Sequence, residues 1–353
     1  MNERDHLERC FAGLLLGTAV GDALGLPAEG LSPERIRRRW KGDWRMRLTF
    51  GRGMVSDDTE HAFFVGQSLL ESPTDARRFQ SRLARRLRWW FLALPAGVGL
   101  ATARACLKLW VGFSAERSGV FSAGNGPAMR SAILGGFFAD DTERRRDYVR
   151  ASTRLTHTDP RAETAALAVA EAAAGIVRQE SEAEEFLARL PACGTGEEWL
   201  GLCGRLREAL ARKDPVPDFA TSLGLQRGVT GYAFHTVPVA LYAWLRHPGD
   251  FRRALTAALD CGGDTDTVGA IVGALAGAEA GVEGIPSDWL DGLCEWPRTP
   301  GTFRLLAARL ARTKEEGQPQ PGVRYCWIGV PLRNMFFLAI ILAHGLRRTL
   351  PPY

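Results

Sequence analysis

Two short clusters of hydroxyl and carboxylate side chains are the residues of this sequence best suited to chemistry. The first is Ser56-Asp57-Asp58-Thr59 and the second is Asp264-Thr265-Asp266-Thr267. Hard oxygen ligands of this kind select Mg²⁺ or Mn²⁺, and the lack of Cys and His in the clusters disfavours zinc. Four carboxylates packed together would repel one another unless cations neutralised them. If the clusters converge, the predicted ligands of a two-metal site are Ser56, Asp57, Asp58, Asp264, Asp266 and Thr267.

Each cluster also has a simpler interpretation, because each stands directly before a segment with helical periodicity. Asp57, with Glu60 three residues later, forms a capping box, and Asp266 or Thr267 could cap the second helix. One cap does not require two aspartates at positions i and i+2. The local sequence alone leaves helix capping and metal binding open.

Two stripes of glycine accompany the clusters. Residues four apart share one face of a helix, and the glycines at this spacing are Gly13, Gly17, Gly21, Gly25, Gly269, Gly273, Gly277 and Gly281. Each glycine costs a helix roughly 0.5–1 kcal/mol relative to alanine, so eight at this spacing suggest a compensating close approach of backbones. We expect the two helices to cross at the centre of the domain and to bring the loops near Asp22 and Asp264 together.

The elements that must hold these clusters are predicted to be helices. The 353 residues are 46% apolar, and apolar residues return at intervals of three and four, as in Leu7, Cys10 and Phe11. The predicted helices are 60–72, 76–93, 98–110, 126–136, 161–178, 200–212, 235–246, 251–260, 267–281 and 301–312. Polar residues with Gly and Pro predict loops at 27–34, 48–58, 112–126, 156–160, 213–231, 261–266 and 284–289. The fold class is therefore predicted to be all-α.

A compositional break at 314–322 predicts a domain of residues 1–313, followed by a linker and a C-terminal extension over 314–353. The extension contains nine consecutive apolar residues, 335–343, which is shorter than the roughly 17 that a membrane span requires. No transmembrane span is therefore predicted. The run is interpreted as a helix docked on its own domain or on a partner, with an interfacial membrane helix as the alternative.

The bulk composition excludes several classes of protein. Seven scattered cysteines without a Cys-x-x-Cys pair disfavour a disulfide framework and a thiolate zinc site, and no secretory signal precedes the domain. A cytoplasmic location is expected. The formal charge of +5 does not call for nucleic acid. The basic runs 35–41 and 82–88, the second of which precedes Trp89-Trp90, are interpreted as solvated helix faces, with an acidic target or nucleic acid as the alternative.

Five motifs together resemble the ADP-ribosylglycohydrolase family, whose members are all-helical two-metal enzymes related to dinitrogenase reductase-activating glycohydrolase. They span most of residues 6–312 and leave the extension outside the resemblance. The motifs are Gly13–Glu29, Ser56–Glu60, Gly124–Arg130, Thr156-His157 and Cys261–Ala278. The resemblance implies a compact multi-helix orthogonal bundle.

The resemblance also implies roles for individual residues. The six predicted ligands would hold two Mg²⁺ or Mn²⁺ ions, although the family more often has threonine where Ser56 stands. Catalysis would fall on Glu29, Asp57, Asp58 and Asp266. Substrate would be bound by Glu29, Gly124, Asn125, Gly126 and His157. Tyr232 is a further substrate-binding candidate, placed to stack on adenine, with core packing as the alternative. Glu29 could act as a general base, position the substrate or be a structural loop residue.

The function implied is hydrolysis of the N- or O-glycosidic bond of an ADP-ribosyl adduct, with a modified protein as substrate and ADP-ribose as product. Nucleic-acid adducts are less favoured. The alternatives are a catalytically silent ADP-ribose-binding protein and a scaffold recruited through its tail. Ser122 stands just ahead of Gly124, where some bacterial relatives carry a carboxylate, and this departure weakens any inference of arginine-linkage specificity.

Overall fold

Seventeen α-helices build the fold of this computed structural model, which describes residues 2–180 and 183–349. Within these ranges strands form only isolated bridges and no sheet, so the prediction of an all-α fold is confirmed. In chain order the helices are α1 Glu3–Gly25, α2 Pro33–Trp40, α3 Asp57–Glu71, α4 Ala76–Leu92, α5 Leu100–Trp110, α6 Ala132–Phe137, α7 Thr142–Arg154, α8 Pro160–Val177, α9 Ala183–Arg189, α10 Glu197–Arg212, α11 Val216–Ser222, α12 Ala233–Arg246, α13 Phe251–Leu259, α14 Thr265–Ala280, α15 Ser287–Leu290, α16 Pro300–Glu316 and α17 Gly329–Thr349.

Helices α1 and α14 form the centre of the fold and pack against each other along their glycine stripes. A Cβ atom built on Gly17 would lie 2.0 Å from the carbonyl oxygen of Gly273, and one built on Gly21 would lie 1.9 Å from that of Gly269. No side chain larger than hydrogen fits at these separations. The predicted close crossing of the two helices is confirmed. The C-terminal end of α1 lies beside the N-terminal end of α14.

The remaining helices surround this pair. Helices α12, α13 and α16 pack on α1 or α14, and α3 and α8 close further sides. Because the central helices are buried on every face from Gly13 to Gly25 and from Thr265 to Ala278, their sequences show apolar residues all round rather than one amphipathic stripe.

Most predicted helices occur with ends shifted by a few residues, while several were missed. The basic run 35–41, which the sequence analysis interpreted as a helix face, does lie in a helix, α2, where Ser32 is the cap and Pro33 occupies the first position. Helix α7 has the sequence TERRRDYVRASTR and was not predicted. Its buried face is made by Tyr148, Val149 and the stem of Arg145, so the apolar pattern is short. Helix α11 lies in the predicted loop 213–231.

The C-terminal extension runs along the domain before forming α17. The side-chain amide of Gln67 binds both the backbone N–H and the carbonyl of Val323, at 2.8 and 2.9 Å. Farther on, the guanidinium of Arg333 pairs with the Glu295 carboxylate through two bonds of 2.8 and 2.9 Å, and both side chains are buried. Phe337 packs in a small cluster with residues of the main domain.

Helix α17 is longer than its nine-residue apolar run. It covers 21 residues because polar residues on both sides of the run continue the helix. By length and composition alone, two helical segments in the described ranges could cross a membrane, Glu3–Ala28 and Gly329–Thr349. The first is wholly buried in the domain, whereas 28% of the most apolar stretch of α17 is buried. The sequence analysis predicted no membrane span from a run of nine apolar residues. That count underestimates the length of the helix.

Candidate active site

The first cluster forms the start of helix α3. Ser56 is the N-cap, and its hydroxyl accepts a hydrogen bond from the backbone N–H of Asp58 at 3.2 Å. The sequence placed the cap at Asp57, which is wrong because Asp57 and Asp58 already belong to the first helical turn. Their carboxylates are thereby free for another role, and the helix N-terminus favours negative charge at this position.

Asp22 of α1 holds the first cluster through hydrogen bonds. Its carboxylate accepts bonds from the backbone N–H of Ser56 at 3.0 Å and from the N–H and hydroxyl of Thr59 at 3.2 and 2.5 Å. Complete burial raises the pKa of Asp22 to about 7, while the hydrogen bonds from Thr59 and Ser56 oppose this rise. The sequence did not assign Asp22 to the site. The available signal was a single carboxylate inside a helix that is otherwise apolar and glycine-striped.

The second cluster follows a backbone turn that requires glycine. Gly263 has a φ of +81°, and a Cβ built on it would lie 1.9 Å from the carbonyl oxygen of Val229. The turn places Asp264 at the N-cap of α14, without a capping bond from its side chain. The prediction that Asp266 or Thr267 caps this helix is wrong, because both lie inside its first turn. The Asp264 carboxylate instead accepts a bond of 2.6 Å from the Asn125 amide.

The two clusters meet at the floor of one cleft. The Thr267 hydroxyl lies 3.3 Å from Oδ2 of Asp58, which also accepts a 3.1 Å bond from the Ser56 hydroxyl. By contrast, Oδ1 of Asp58 and Oδ1 of Asp266 are buried without a hydrogen-bond partner among the residues that the structure describes. Buried polar atoms are seldom left unpaired, so these two oxygens are positions where a cation would be stabilised.

The cleft has a volume of about 510 Å³, within the range of small-molecule sites. It brings together most of the predicted site residues. Its lining includes Glu29, Asp57, Asp58, Gly124, Asn125, Gly126, His157, Asp264, Asp266 and Thr267. Ser56 lies behind this wall and reaches it through its bond to Asp58.

The carboxylates of the cleft are strongly perturbed. Burial raises the pKa of Asp57, Asp58 and Asp266 well above the usual value, and neighbouring carboxylates add to each rise. Among the neighbouring charges, Asp22 has the largest effect on the pKa of Asp57 and Asp58, and Glu29 has the largest effect on the pKa of Asp266. Such clustering of like charges is typical of functional sites.

The arrangement of these side chains is not yet a closed metal cage. Throughout residues 2–180 and 183–349, no group of three or more His, Cys, Asp or Glu side chains is already arranged to hold a metal ion. The oxygen donors nevertheless suit Mg²⁺ or Mn²⁺, which bind through a few carboxylates and keep water or substrate oxygens as further ligands.

Glu29 lies at the rim of the cleft, at the end of a short 3₁₀ turn formed by Leu26–Ala28. The N–H of the following Gly30 donates to the carbonyl of Gly263 at 2.7 Å, which joins this rim to the second cluster. Burial and the charge of Asp264 raise the pKa of Glu29, and the opposing influence is the Arg348 guanidinium.

The opposite wall is built by Gly124, Gly126 and His157. A Cβ atom on Gly124 would lie 2.9 Å from Nε2 of His157, so this wall needs glycine to accommodate the imidazole. The other ring nitrogen, Nδ1, lies 2.8 Å from the Thr156 hydroxyl. Burial, assisted by the positive charge of Arg130, lowers the pKa of His157 to about 3, so the ring is neutral at physiological pH.

Arg130 was not identified from the sequence, although it closes the third motif. Its buried guanidinium donates to the Ser152 carbonyl at 2.9 Å and to the Thr156 hydroxyl at 2.8 Å. Through Thr156 it fixes the position of His157. Burial lowers the pKa of Arg130 to about 10.

Tyr232 does not contribute its side chain to the wall of the cleft. Its hydroxyl donates to the Glu198 carboxylate at 2.8 Å, and its ring packs edge-on against His235. The backbone beside it does reach the site, because the N–H of Asn125 donates to the Gly231 carbonyl at 3.0 Å.

The fold and the cleft together define an all-helical protein in which the starts of helices α3 and α14 each supply a carboxylate pair to one glycine-walled site. A family model for ADP-ribosylglycohydrolase matches residues 2–320. The chain belongs to the ADP-ribosylglycohydrolase family.

Individual relatives are similar along most of their length. An uncharacterized protein of Archaeoglobus fulgidus is 35% identical over 297 residues, covering 81% of this chain and 92% of its own. The ADP-ribosyl-[dinitrogen reductase] glycohydrolase of Rhodospirillum rubrum is 27% identical, covering 80% and 89%. The ADP-ribosylhydrolase ARH3 of Xenopus tropicalis is 29% identical, covering 79% and 89%. A solved structure titled ADP-ribosylglycohydrolase-related protein complex superimposes with a TM-score of 0.62 at 27% identity, covering 88% of this chain and 99% of its own.

Proposed function

We propose that this protein hydrolyses the glycosidic bond that joins ADP-ribose to a modified protein side chain or a related adduct, with the help of two Mg²⁺ or Mn²⁺ ions. The observation that carries the proposal is the meeting of Asp57 and Asp58 with Asp264 and Asp266 in one cleft, with two buried carboxylate oxygens unpaired. Membership of the family and the names of the relatives support the same class of reaction.

The residues present fit a pair of divalent ions. Ser56, Asp57, Asp58, Asp264, Asp266 and Thr267 would hold them, through the hydroxyl and carboxylate oxygens described above. When bound, the ions supply charge neutralisation and Lewis-acid polarisation of coordinated oxygens. The raised pKa of Asp57, Asp58 and Asp266 supports this assignment, because cations restore the ionised form that burial disfavours.

The protein's own side chains bind and orient the adduct. The glycines at 124 and 126 leave the wall beside His157 without side chains, so a ribose or diphosphate can approach the backbone closely. The neutral imidazole of His157 presents Nε2 toward this wall. The side-chain amide of Asn125 donates hydrogen bonds to the Asp264 carboxylate and to the Thr236 hydroxyl, and these bonds hold the loop in place.

Glu29 is the residue we assign to proton transfer. Its carboxylate lines the cleft, and its raised pKa brings its basicity nearer to neutral pH. As water attacks the anomeric carbon, the C–O bond forms and the glycosidic bond breaks. The electron pair of the broken bond goes to the leaving nitrogen or oxygen. The proton of the attacking water goes to Glu29 and from there to the leaving atom, which regenerates the Glu29 carboxylate.

A hydrolysis panel tests this function. The purified protein is incubated with Mg²⁺ or Mn²⁺ and with arginine-, serine-, acetyl- or nucleic-acid-linked ADP-ribose, and released ADP-ribose is measured. We expect turnover of at least one linkage, loss of turnover in Asp57→Ala and Asp266→Ala, and a much lower kcat in Glu29→Gln. Equal activity of the two aspartate variants and the wild type would contradict the metal assignment. A normal rate for Glu29→Gln would exclude proton transfer by this residue.

A further inference from the structure

A second cavity lies away from the catalytic cleft, between helix α4 and the C-terminal extension. It has a volume of about 420 Å³, which suits a small molecule. Trp89 and Trp90 line it from α4, and Tyr325 and Trp327 line it from the extension. The family match ends at residue 320, so part of this wall is built by a segment that lies beyond the match.

The aromatic rings offer flat surfaces to a ligand. Trp89 is 44% exposed and Trp327 is 51% exposed, and the centroids of their rings stand 6.4 Å apart at an interplanar angle of 87°. Trp90 forms a deeper wall, because it is buried and its indole N–H donates to Glu60 at 2.6 Å. Exposed indole faces are suited to stacking on a planar ring.

The charged residues that line the cavity are all arginines. Arg298 and Arg86 already have acidic partners, Glu60 and Glu71. Arg85 is exposed on the same helix face and has no ion pair or hydrogen bond with any residue that the structure describes. Its guanidinium can therefore accept an anion without breaking an existing contact.

We propose that this cavity binds a nucleoside phosphate, with the base against the Trp89 and Trp327 rings and the phosphate on Arg85. The combination favours a ligand with both a planar ring and an anionic group: an apolar molecule would not use Arg85, and an inorganic anion would not use the aromatic walls. Arginine beside exposed tryptophans is the chemistry that recognises a base and a phosphate in one unit. This inference stands apart from the proposed catalytic function, since none of these residues lines the catalytic cleft.

The location of the tryptophans gives a local readout. Three of the protein's ten tryptophans line this cavity, whereas none lines the catalytic cleft. AMP is titrated into the full-length protein while tryptophan fluorescence is recorded, and the dissociation constant is checked by calorimetry. We expect saturable quenching by AMP, with binding of adenosine and of inorganic phosphate each at least tenfold weaker.

Substitutions separate this cavity from the cleft. Arg85→Glu should weaken AMP binding at least tenfold, and Trp327→Ala should remove part of the quenching. Arg104→Ala is the matched control, because Arg104 is an exposed arginine on α5 that does not line the cavity, and it should bind AMP as the wild type does. Asp57→Ala should retain the quenching. Equal affinity in the wild type and Arg85→Glu, no quenching by AMP, or equal binding of AMP and inorganic phosphate would overturn the proposal.

A 5′-phosphorylated dinucleotide distinguishes a free nucleotide from the end of a nucleic acid chain. If the dinucleotide binds as tightly as AMP and this binding is lost in Arg85→Glu, the same site accepts the terminal unit of a chain, and the proposal holds for both sources. If it binds tenfold more weakly, the site is specific for the free nucleotide. Dinucleotide binding that is stronger than AMP binding and unaffected by Arg85→Glu would place recognition elsewhere and contradict the proposal.

Discussion

The guanidinium of Arg348 donates a hydrogen bond of 2.6 Å to the backbone carbonyl of Glu29, joining the last described helix to the rim of the catalytic cleft. The same guanidinium donates to the Pro27 carbonyl at 2.8 Å, and the imidazole of His344 donates to that carbonyl at 3.1 Å. Phe337 packs with Leu26 below the turn. The loop that presents Glu29 is thus held by a segment outside the family match.

We expect Arg348→Ala to lower kcat about tenfold with a smaller effect on KM, because two hydrogen bonds that fix the loop carrying the proton-transfer residue Glu29 are lost. Arg348→Lys should recover part of the loss, since an ammonium group can replace one of the two bonds. Steady-state kinetics on the substrate found by the hydrolysis panel provide the measurement. Arg324→Ala, an exposed arginine of the same extension, is the control, and an equal change in both variants would refute the positioning role.

Divalent ions should stabilise the protein, and more so at higher pH. The pKa of Asp57, Asp58 and Asp266 is raised in the folded chain. The metal-free fold therefore loses stability as the pH rises above the unfolded value of about 4 and these groups are forced to ionise. Bound cations recover that loss.

Thermal melts with and without Mn²⁺ measure this effect. We expect a larger increase in Tm at pH 8 than at pH 5.5, because protons no longer compete for the carboxylates. The increase should be absent from Asp266→Asn and retained in Asp218→Asn, whose aspartate is exposed on α11. An increase of the same size in all three proteins would indicate nonspecific binding.

Acid should destabilise the fold through His157. Its pKa is about 3 in the folded chain against roughly 6.5 when unfolded, so the unfolded chain binds more protons between these values. The stabilising contribution is complete above pH 6.5 and decreases as the pH falls, by about 2 kcal/mol at pH 5. Urea unfolding of wild type and His157→Gln at pH 7 and pH 5 gives the difference directly. An identical pH dependence in both proteins would show that His157 does not contribute.

Substitutions in the glycine stripe should separate backbone contact from helix propensity. Gly17→Ala places a methyl group 2.0 Å from the Gly273 carbonyl oxygen, and we expect a loss of about 3 kcal/mol or failure to fold. Gly201 lies on α10 with open space around its Cα, so Gly201→Ala should stabilise by about 0.5–1 kcal/mol. Chemical denaturation measures both. A normally stable Gly17→Ala variant would contradict the packing argument.

Much of the site could be predicted from the sequence because its determinants are local. The hydroxyl-carboxylate clusters and the glycine stripes are short patterns with a direct physical meaning. The crossing of α1 and α14 places the second cluster near Asp22 of α1, which in turn holds the first cluster at the start of α3. What could not be predicted is which residue of each cluster occupies the N-cap of its helix. Ser56 and Asp264 take the cap positions because of tertiary contacts to Asp22 and Val229, which are far away in the sequence.

The other features that the sequence analysis did not predict depend on contacts between residues far apart in the sequence. Asp22 and Arg130 act through hydrogen bonds to backbone and hydroxyl groups that are distant in the sequence, so their local surroundings do not show what they bind. The extension was read from a nine-residue apolar run, whereas the 21-residue helix is continued by residues such as Arg333 and Arg348 whose partners lie in the main domain. Tyr232 was a stacking candidate, but its hydroxyl is directed to Glu198.

The glycine-to-glycine contact between α1 and α14 also constrains how the protein is made. The ribosome completes α1 at residue 25, yet the partner helix begins only at residue 265. At bacterial or eukaryotic rates of synthesis, α1 waits about 10–50 s for its partner. During that interval α1, which is buried from Gly13 to Gly25 in the folded protein, lacks the surface that covers it. A nascent chain of this protein therefore carries helix α1 without its main packing partner until residues 265–280 have been synthesised.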